Sequence, residues 1–212
     1  MAAQVSLPIF PLPDLTFFPH TLLPLHIFEA RYRAMVTDVL ARDRRLAVVG
    51  LKPGYEATYE GRPPVYDVMG VGRIVQWARL ATGRYNLVLR GETRARIERE
   101  LPTDTLYRMV VATPLAETGG DGPDVGALAG GVKDRCRKIL TAVGRSGAEL
   151  QQSLDALDQP GELCDQVASA MVPTPAVRQA LLEELDIARR LEKLATALDD
   201  LLSHLTGEGG RA

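Results

Sequence analysis

The residues best suited to chemistry in this sequence are few and scattered. Three histidines (His20, His26, His204) are dispersed and two cysteines (Cys136, Cys164) lie far apart, with no Cys/His cluster among them. A zinc site needs three or four such ligands, usually in locally spaced pairs, so no metal is expected. The cysteines form no Cys-x-x-Cys pair and fall in helical patterns, which predicts two reduced, buried thiols. Gly144-Arg145-Ser146-Gly147 resembles a nucleophile elbow, but that motif needs Gly-x-Ser-x-Gly between a strand and a helix. Here the spacing differs and the surroundings are helical. No Gly-Lys pair occurs, so there is no P-loop. Gly70-Val71-Gly72 has Val75 where a dinucleotide cradle needs its third glycine, and reads as a bend. Glu98 and Glu100, interleaved with Arg96 and Arg99, read as a solvated edge of weak ion pairs. No nucleophile–base set converges, so the chain is read as a non-enzyme with no cofactor.

Two features could instead recognise a partner. The first is the apolar, proline-rich stretch around Leu15, Phe17, Phe18, Pro19, Leu22 and Leu23. Either it folds over the mouth of a barrel and plugs it, or Phe17, Phe18, Pro19 and Leu22 stay exposed and bind peptide together with Trp77 and Tyr85. The second is the series Arg90, Arg94, Arg96 and Arg99. Arg94 and Arg96 lie two apart and so share a strand face. The series is either a solvated face balanced by Glu92, Glu98 and Glu100, or a surface for RNA or another anionic partner. His26 sits in an apolar run, Leu22 to Phe28, and is expected to bond a backbone group.

The elements that must hold these residues fall into two halves. The first is β-rich, the second helical, and the joint is the Gly/Pro stretch Glu117 to Pro123. The domains are accordingly placed at 1–117 and 118–212. Strands are expected at Val5–Phe10, ended by Pro11 and Pro13, then at Leu46–Leu51, Val65–Leu80, Tyr85–Arg90, Ala95–Leu101 and Leu106–Thr113. One early helix carries Phe28, Tyr32, Met35, Val39 and Leu40 at helical spacing. Phe17 to Pro24 reads as loop. About six strands around one helix suggest a small, irregular barrel. In the second half, helices are expected over Val125–Val143 and Gly161–Val172, and from Pro175 with Thr174 as N-cap. A long last helix has Ile187, Leu191, Leu194, Leu198, Leu201 and Leu205 as its apolar stripe. Gly207 should stop it and leave Glu208 to Ala212 disordered.

Composition agrees with such a chain. It has 212 residues, 46% hydrophobic and 25% charged, ordinary values for a globular protein. The net charge of −2 argues against a chain built to neutralise phosphates. Charge is uneven: 15 basic and 12 acidic residues through Glu117, 10 and 15 beyond. No basic n-region opens the chain and no run reaches the ~20 apolar residues of a membrane span, so a cytoplasmic protein is expected.

Three blocks carry a family resemblance. Leu7–Pro13 (LPIFPLP), Phe18–His20 (FPH) and Leu23–Met35 (LPLHIFEARYRAM) resemble the opening of the Lon protease N-terminal domain. Val71–Val75, Gly83–Gly91 and Arg94–Ile97 resemble that family's paired core strands. Leu163–Val172, then Gln179–Glu184 with Arg190 and Leu191, resemble its helical part. The resemblance implies an α+β fold, a PUA-like β pseudobarrel followed by an α-helical bundle. It further implies recognition of unfolded or tagged protein segments, without the ATPase and protease modules that would follow in full-length Lon. Expected partners are therefore unfolded proteins or peptides, with a protease or chaperone beside them. Nucleic acid is the alternative through the arginine series, and a monomer or weak homodimer is expected.

Overall fold

The structure, a computed structural model, describes residues 3–58, 61–145 and 147–208. Ser146 and the tail beyond Glu208 lie outside them. The chain divides into two compact units, Met1–Ala116 and Glu117–Ala212.

The first unit holds β1 (Val5–Leu12), β2 (Leu22–Ile27), α1 (Ala30–Leu40), β3 (Arg45–Gly50), β4 (Val68–Arg79), β5 (Tyr85–Leu101) and β6 (Met109–Leu115). Their order is β2-β5-β4-β3-β1-β6, and β5 also pairs with β6. The sheet therefore curls until its last strand meets β5, and β2 remains as an edge. The closure depends on β5, one bent strand where the sequence suggests two. Its first part, through Arg90, pairs with β2, and its last part, from Arg94, pairs with β6. At the bend, Gly72 pairs with Gly91 while Val71 pairs with Thr93, so Glu92 is the extra residue of a bulge.

Prolines explain two differences from the expected strands. β1 runs through Pro11 to Leu12 although it has strands on both sides. Its register shows how. Val5–Pro8 pair with β6 only, and Ile9–Leu12 pair with β3 only. Pro8 and Pro11 each have one bare side, so neither missing N–H breaks a ladder. β2 forms where Pro24 suggests a loop, because an edge strand tolerates a proline whose nitrogen faces away from its single partner.

α1 begins two residues after Phe28, which is not part of its apolar face. Tyr32, Met35, Val36 and Val39 are the buried stripe. They pack with Phe10, Phe17, Ile74, Tyr85, Leu87 and Leu89 in one core; Leu7, Ile9, Met69, Val71 and Val110 belong to a second.

The second unit holds α2 (Val125–Ala142), α3 (Ala148–Asp155), α4 (Pro160–Met171), α5 (Pro175–Glu183) and α6 (Ile187–Glu208). α3 adds a helix to those expected; it buries one residue, Leu154, and so shows no stripe in the sequence. Thr174 takes the N-cap position of α5 but makes no side-chain cap bond. α6 continues through Gly207. Among the described residues, no helix is long and apolar enough to cross a membrane.

Cys136 and Cys164 form no disulfide and are fully buried. Burial pushes the Cys136 thiol up to about 11 from an ordinary value of 9.0. A thiol that ionises later in the folded chain supports stability below pH 9, and that support is lost as pH rises towards 11. The urea midpoint of the helical unit should fall over that range, by about 2–3 kcal/mol of stability. The Cys136→Ala variant should not show this dependence.

Candidate functional site

The aromatic loop is inside the fold. Phe17 and Phe18 are buried at 3% and 0% exposure, and Pro19 is buried too. The floor beneath them is three glycines. A Cβ built on Gly70 would stand 1.9 Å from the Phe17 carbonyl oxygen, and one on Gly91 would stand 2.1 Å from that of Phe18. On Gly72 a Cβ would meet the Phe17 ring at 2.6 Å. The loop is tied down as well. The His20 N–H donates to Gly91 O, the Gly91 N–H to Thr21 O, and Thr21 Oγ1 to Phe18 O at 2.7 Å. Of the two alternatives for this loop, the plug is the one found. Phe17, Phe18 and Pro19 are not open to a partner, and neither is Tyr85, which is buried with its hydroxyl 3.0 Å from Thr37 Oγ1.

Leu22 behaves differently. The loop ends at Thr21, and β2 then alternates its side chains. Leu23, Leu25 and Ile27 turn towards the core, while Leu22, Pro24 and His26 face out. Leu22 is 62% exposed and Phe28, two residues past His26, is 58% exposed. The His26 and Phe28 rings stack at 6.3 Å between centroids. Across the ladder, Leu22 stands opposite Arg90, Pro24 opposite Val88, and His26 opposite Asn86. Val88 and Asn86 stand in turn opposite Gln76 and Ala78 of β4. Pro24, His26, Val88, Asn86, Gln76 and Ala78 line a shallow groove of about 580 Å³, and Trp77, itself 49% exposed, is also among its lining residues. His26 Nδ1 donates to Asn86 Oδ1 at 2.6 Å, a side-chain partner and not the expected backbone one. Of the residues singled out in the sequence, Leu22 thus lies on this outward face; Trp77 is among the groove's lining residues but stands opposite buried Leu87, with its ring 6.4 Å from that of Tyr85, and so turns to the other face of the sheet. Sequence reasoning misses Pro24, His26, Phe28 and Val88. The signal for them is the alternation Leu22, Pro24, His26, Phe28, hidden once Pro24 is taken as a loop residue.

The arginine series does not form one surface. Arg94 is only 2% exposed, whereas Arg90, Arg96 and Arg99 are exposed. Arg94 stands opposite Gly70, on the side of the sheet that the Phe17 backbone covers. Pairing along a strand sets the shared face correctly, but not the loop that lies over one of the two positions.

A second cleft, about 210 Å³, brings together Glu29, Arg31, Arg62, Tyr107 and Arg108. Its charges are already matched. Arg31 pairs with Glu29 at 2.9 Å, and Arg108 pairs with Glu100. Burial, and donation to Asp38 at 2.7 Å, push the Tyr107 phenol up to about 12. A phenol held protonated among paired arginines is neither base nor nucleophile near neutrality. Among the described residues no group of three His, Cys, Asp or Glu side chains is placed to hold a metal.

Residues 6–200 match the model of the ATP-dependent protease La (LON) substrate-binding domain. Lon protease 1 of Syntrophobacter fumaroxidans is 28% identical over 193 residues, which is 91% of this chain and 23% of that protein. The Lon protease of Desulfosudis oleivorans is 25% identical, over 94% of this chain and 24% of its own length. The chain thus spans about a quarter of the curated relatives it matches. Among solved structures, the N-terminal domain of Mycobacterium avium complex Lon protease superposes with a TM-score of 0.75 at 24% identity, covering 92% of this chain and 99% of that one. The Lon N-terminal domain protein of Xanthomonas campestris gives 0.66 at 24% identity, covering 91% and 98%.

Proposed function

Because this chain belongs to the family of ATP-dependent protease La (LON) substrate-binding domains, we propose that it is a non-catalytic module that grips unfolded or flexible protein segments on the outward face of β2, β5 and β4. The observation that carries this reading is the exposure of Leu22 and Phe28 on the face whose Pro24, His26, Asn86 and Val88 line one groove, in a unit whose other aromatic residues near the chain start are buried. Large apolar side chains left in water on a rigid sheet are the usual anchors of a recognition patch. The same face holds His26, Asn86 and Gln76, which can bond a partner's backbone. In this role the chain would act as an adaptor, holding unfolded segments for a protease or chaperone. Burying a few such side chains at about 25 cal/mol per Å², against the cost of ordering a flexible partner, gives micromolar binding.

Trp77 is the only tryptophan and stands on β4 among the groove's lining residues, so its emission reports on changes at this part of the sheet. Titration with a reduced, unfolded model protein should shift its emission to shorter wavelength, with saturation in the micromolar range. The double variant L22S/F28S should weaken that binding by about tenfold or more, equivalent to ~1.4 kcal/mol. Its melting temperature should stay unchanged, since both residues are exposed. Saturable binding that is indifferent to L22S/F28S would remove this face from the reading; no saturable binding at all would remove the function. The RNA reading does not share this support, because burial of Arg94 divides the arginine series it needs.

A further inference from the structure

The groove has a charge frame as well as a greasy centre. Residues 15–28 contain no Asp, Glu, Lys or Arg, and residues 68–91 contain four arginines and no acid. Arg73 is committed: its Nε donates to Glu92 at 2.8 Å. Arg79 lies over the Tyr85 ring at 5.9 Å. Arg84 and Arg90 are exposed, and neither has an ion-pair partner among the described residues. They bracket the exposed row of β5. Arg90 stands opposite Leu22 at one end, while Arg84 leads into β5 at the other, just before Asn86 and Val88. Five residues lie between them, and the six steps of extended chain span about 20 Å at ~3.3 Å per residue.

Resting on the peptide-binding reading, we infer that the groove selects extended apolar segments of about six residues flanked on both sides by carboxylates, with Arg84 and Arg90 as the two clamps. The argument is complementarity. Two uncompensated cations across an uncharged, apolar floor lower the energy of an occupant carrying an acid at each end and raise that of one carrying a lysine there. Nucleic acid fits less well, because two free arginines neutralise only two phosphates of a strand that has no use for the apolar row.

The test uses the full chain and three fluorescein-labelled synthetic peptides read by anisotropy. All share one hexapeptide core of leucine, valine and phenylalanine, flanked by aspartates, glutamines or lysines. At low salt the aspartate-flanked peptide should bind about three- to tenfold tighter than the glutamine-flanked one, the range that two exposed ion pairs supply. The lysine-flanked peptide should bind more weakly than either. The differences should shrink as sodium chloride is raised, since such pairs are screened. The variant R84Q/R90Q should abolish the ratio between the aspartate- and glutamine-flanked peptides. If all three peptides bind alike, or the ratio survives R84Q/R90Q, the charge frame is overturned while the peptide-binding reading stands. If none binds, both fall. Displacement of the peptide by a short single-stranded RNA, with steep salt dependence, would overturn the assignment in favour of nucleic acid.

Discussion

Gly91→Ala and Gly70→Ala should each destabilise the first unit by about 3 kcal/mol, the upper range for overpacking a filled interior. At both positions the added methyl would fall close to a backbone carbonyl oxygen, at 2.1 and 1.9 Å. Backbone cannot swing aside as a side chain can. Relief would therefore require the Phe17–Phe18 segment to lift from the sheet, taking two buried rings with it. A control separates this cause from the general effect of altering a glycine. Gly130 lies within α2, and a methyl added there would meet nothing within 4 Å. Gly130→Ala should be neutral or stabilising by up to about 1 kcal/mol, as expected for helix propensity alone. Chemical denaturation of the three variants reads the contrast. Gly91→Ala should also weaken peptide binding more than its stability loss explains. Gly91 exchanges hydrogen bonds with His20 and Thr21, which set where β2 starts and therefore which residues face outward. Equal, small effects at all three glycines would show that the loop does not rest on this floor.

These glycines also show where sequence reasoning reaches and where it stops. Gly70 and Gly72 are legible as a bend, since glycines inside a β-branched run mark a bulge or a close approach. The Val71/Gly72 register shift is the bulge. What approaches closely is set by residues some fifty positions earlier, and no local pattern encodes that. The same limit applies to Phe17 and Phe18. Their composition suits a plug and a grip equally, and only the missing side chains of the sheet beneath decide between them. Leu22 and Phe28 are hidden for another reason. Period-two alternation is present, but Pro24 disguises it, and Phe28 also fits the helical spacing of Tyr32 and Met35. The α6 stripe, by contrast, is plain, because Ile187, Leu191, Leu194 and Leu198 recur at one period without interruption and all are buried. Fold class and family are readable from such runs and from the specific LPIFPLP and LPLHIFEARYRAM segments. The face that meets a partner depends on pairing register, which the sequence states less openly.

That same α6 stripe contains a charge, and removing it should have the largest effect in the helical unit. Arg190 lies between Ile187 and Leu194 and is fully buried. Its Nη2 donates to Glu117, and its Nη1 lies 3.5 Å from Oδ1 of Asp165, a carboxylate equally buried on α4. Glu117 is held nearby by the chain that follows it: the Thr118 N–H donates to Leu185 O, and the Ile187 N–H to Thr118 O. One guanidinium thus serves two carboxylates, one of them wholly out of water. Taking two ions out of water costs several kcal/mol each, so the net attraction of such a group is small, but deleting one member strands the others. Arg190→Ala should therefore cost about 3–5 kcal/mol, read as a loss of helical signal at lower urea. Arg190→Lys should recover only part of this, because a single ammonium cannot reach two carboxylates with the guanidinium's planar fork. The decisive variant neutralises the whole group: Arg190→Met with Asp165→Asn and Glu117→Gln. If stranded charge is the cause, the triple variant should be markedly more stable than Arg190→Ala although it carries two further substitutions. If attraction between the ions is what holds α4 to α6, it should be no more stable than Arg190→Ala. The sign of that one difference decides whether the group supports stability by its net attraction or is held in place because each member compensates a charge that could not otherwise be buried.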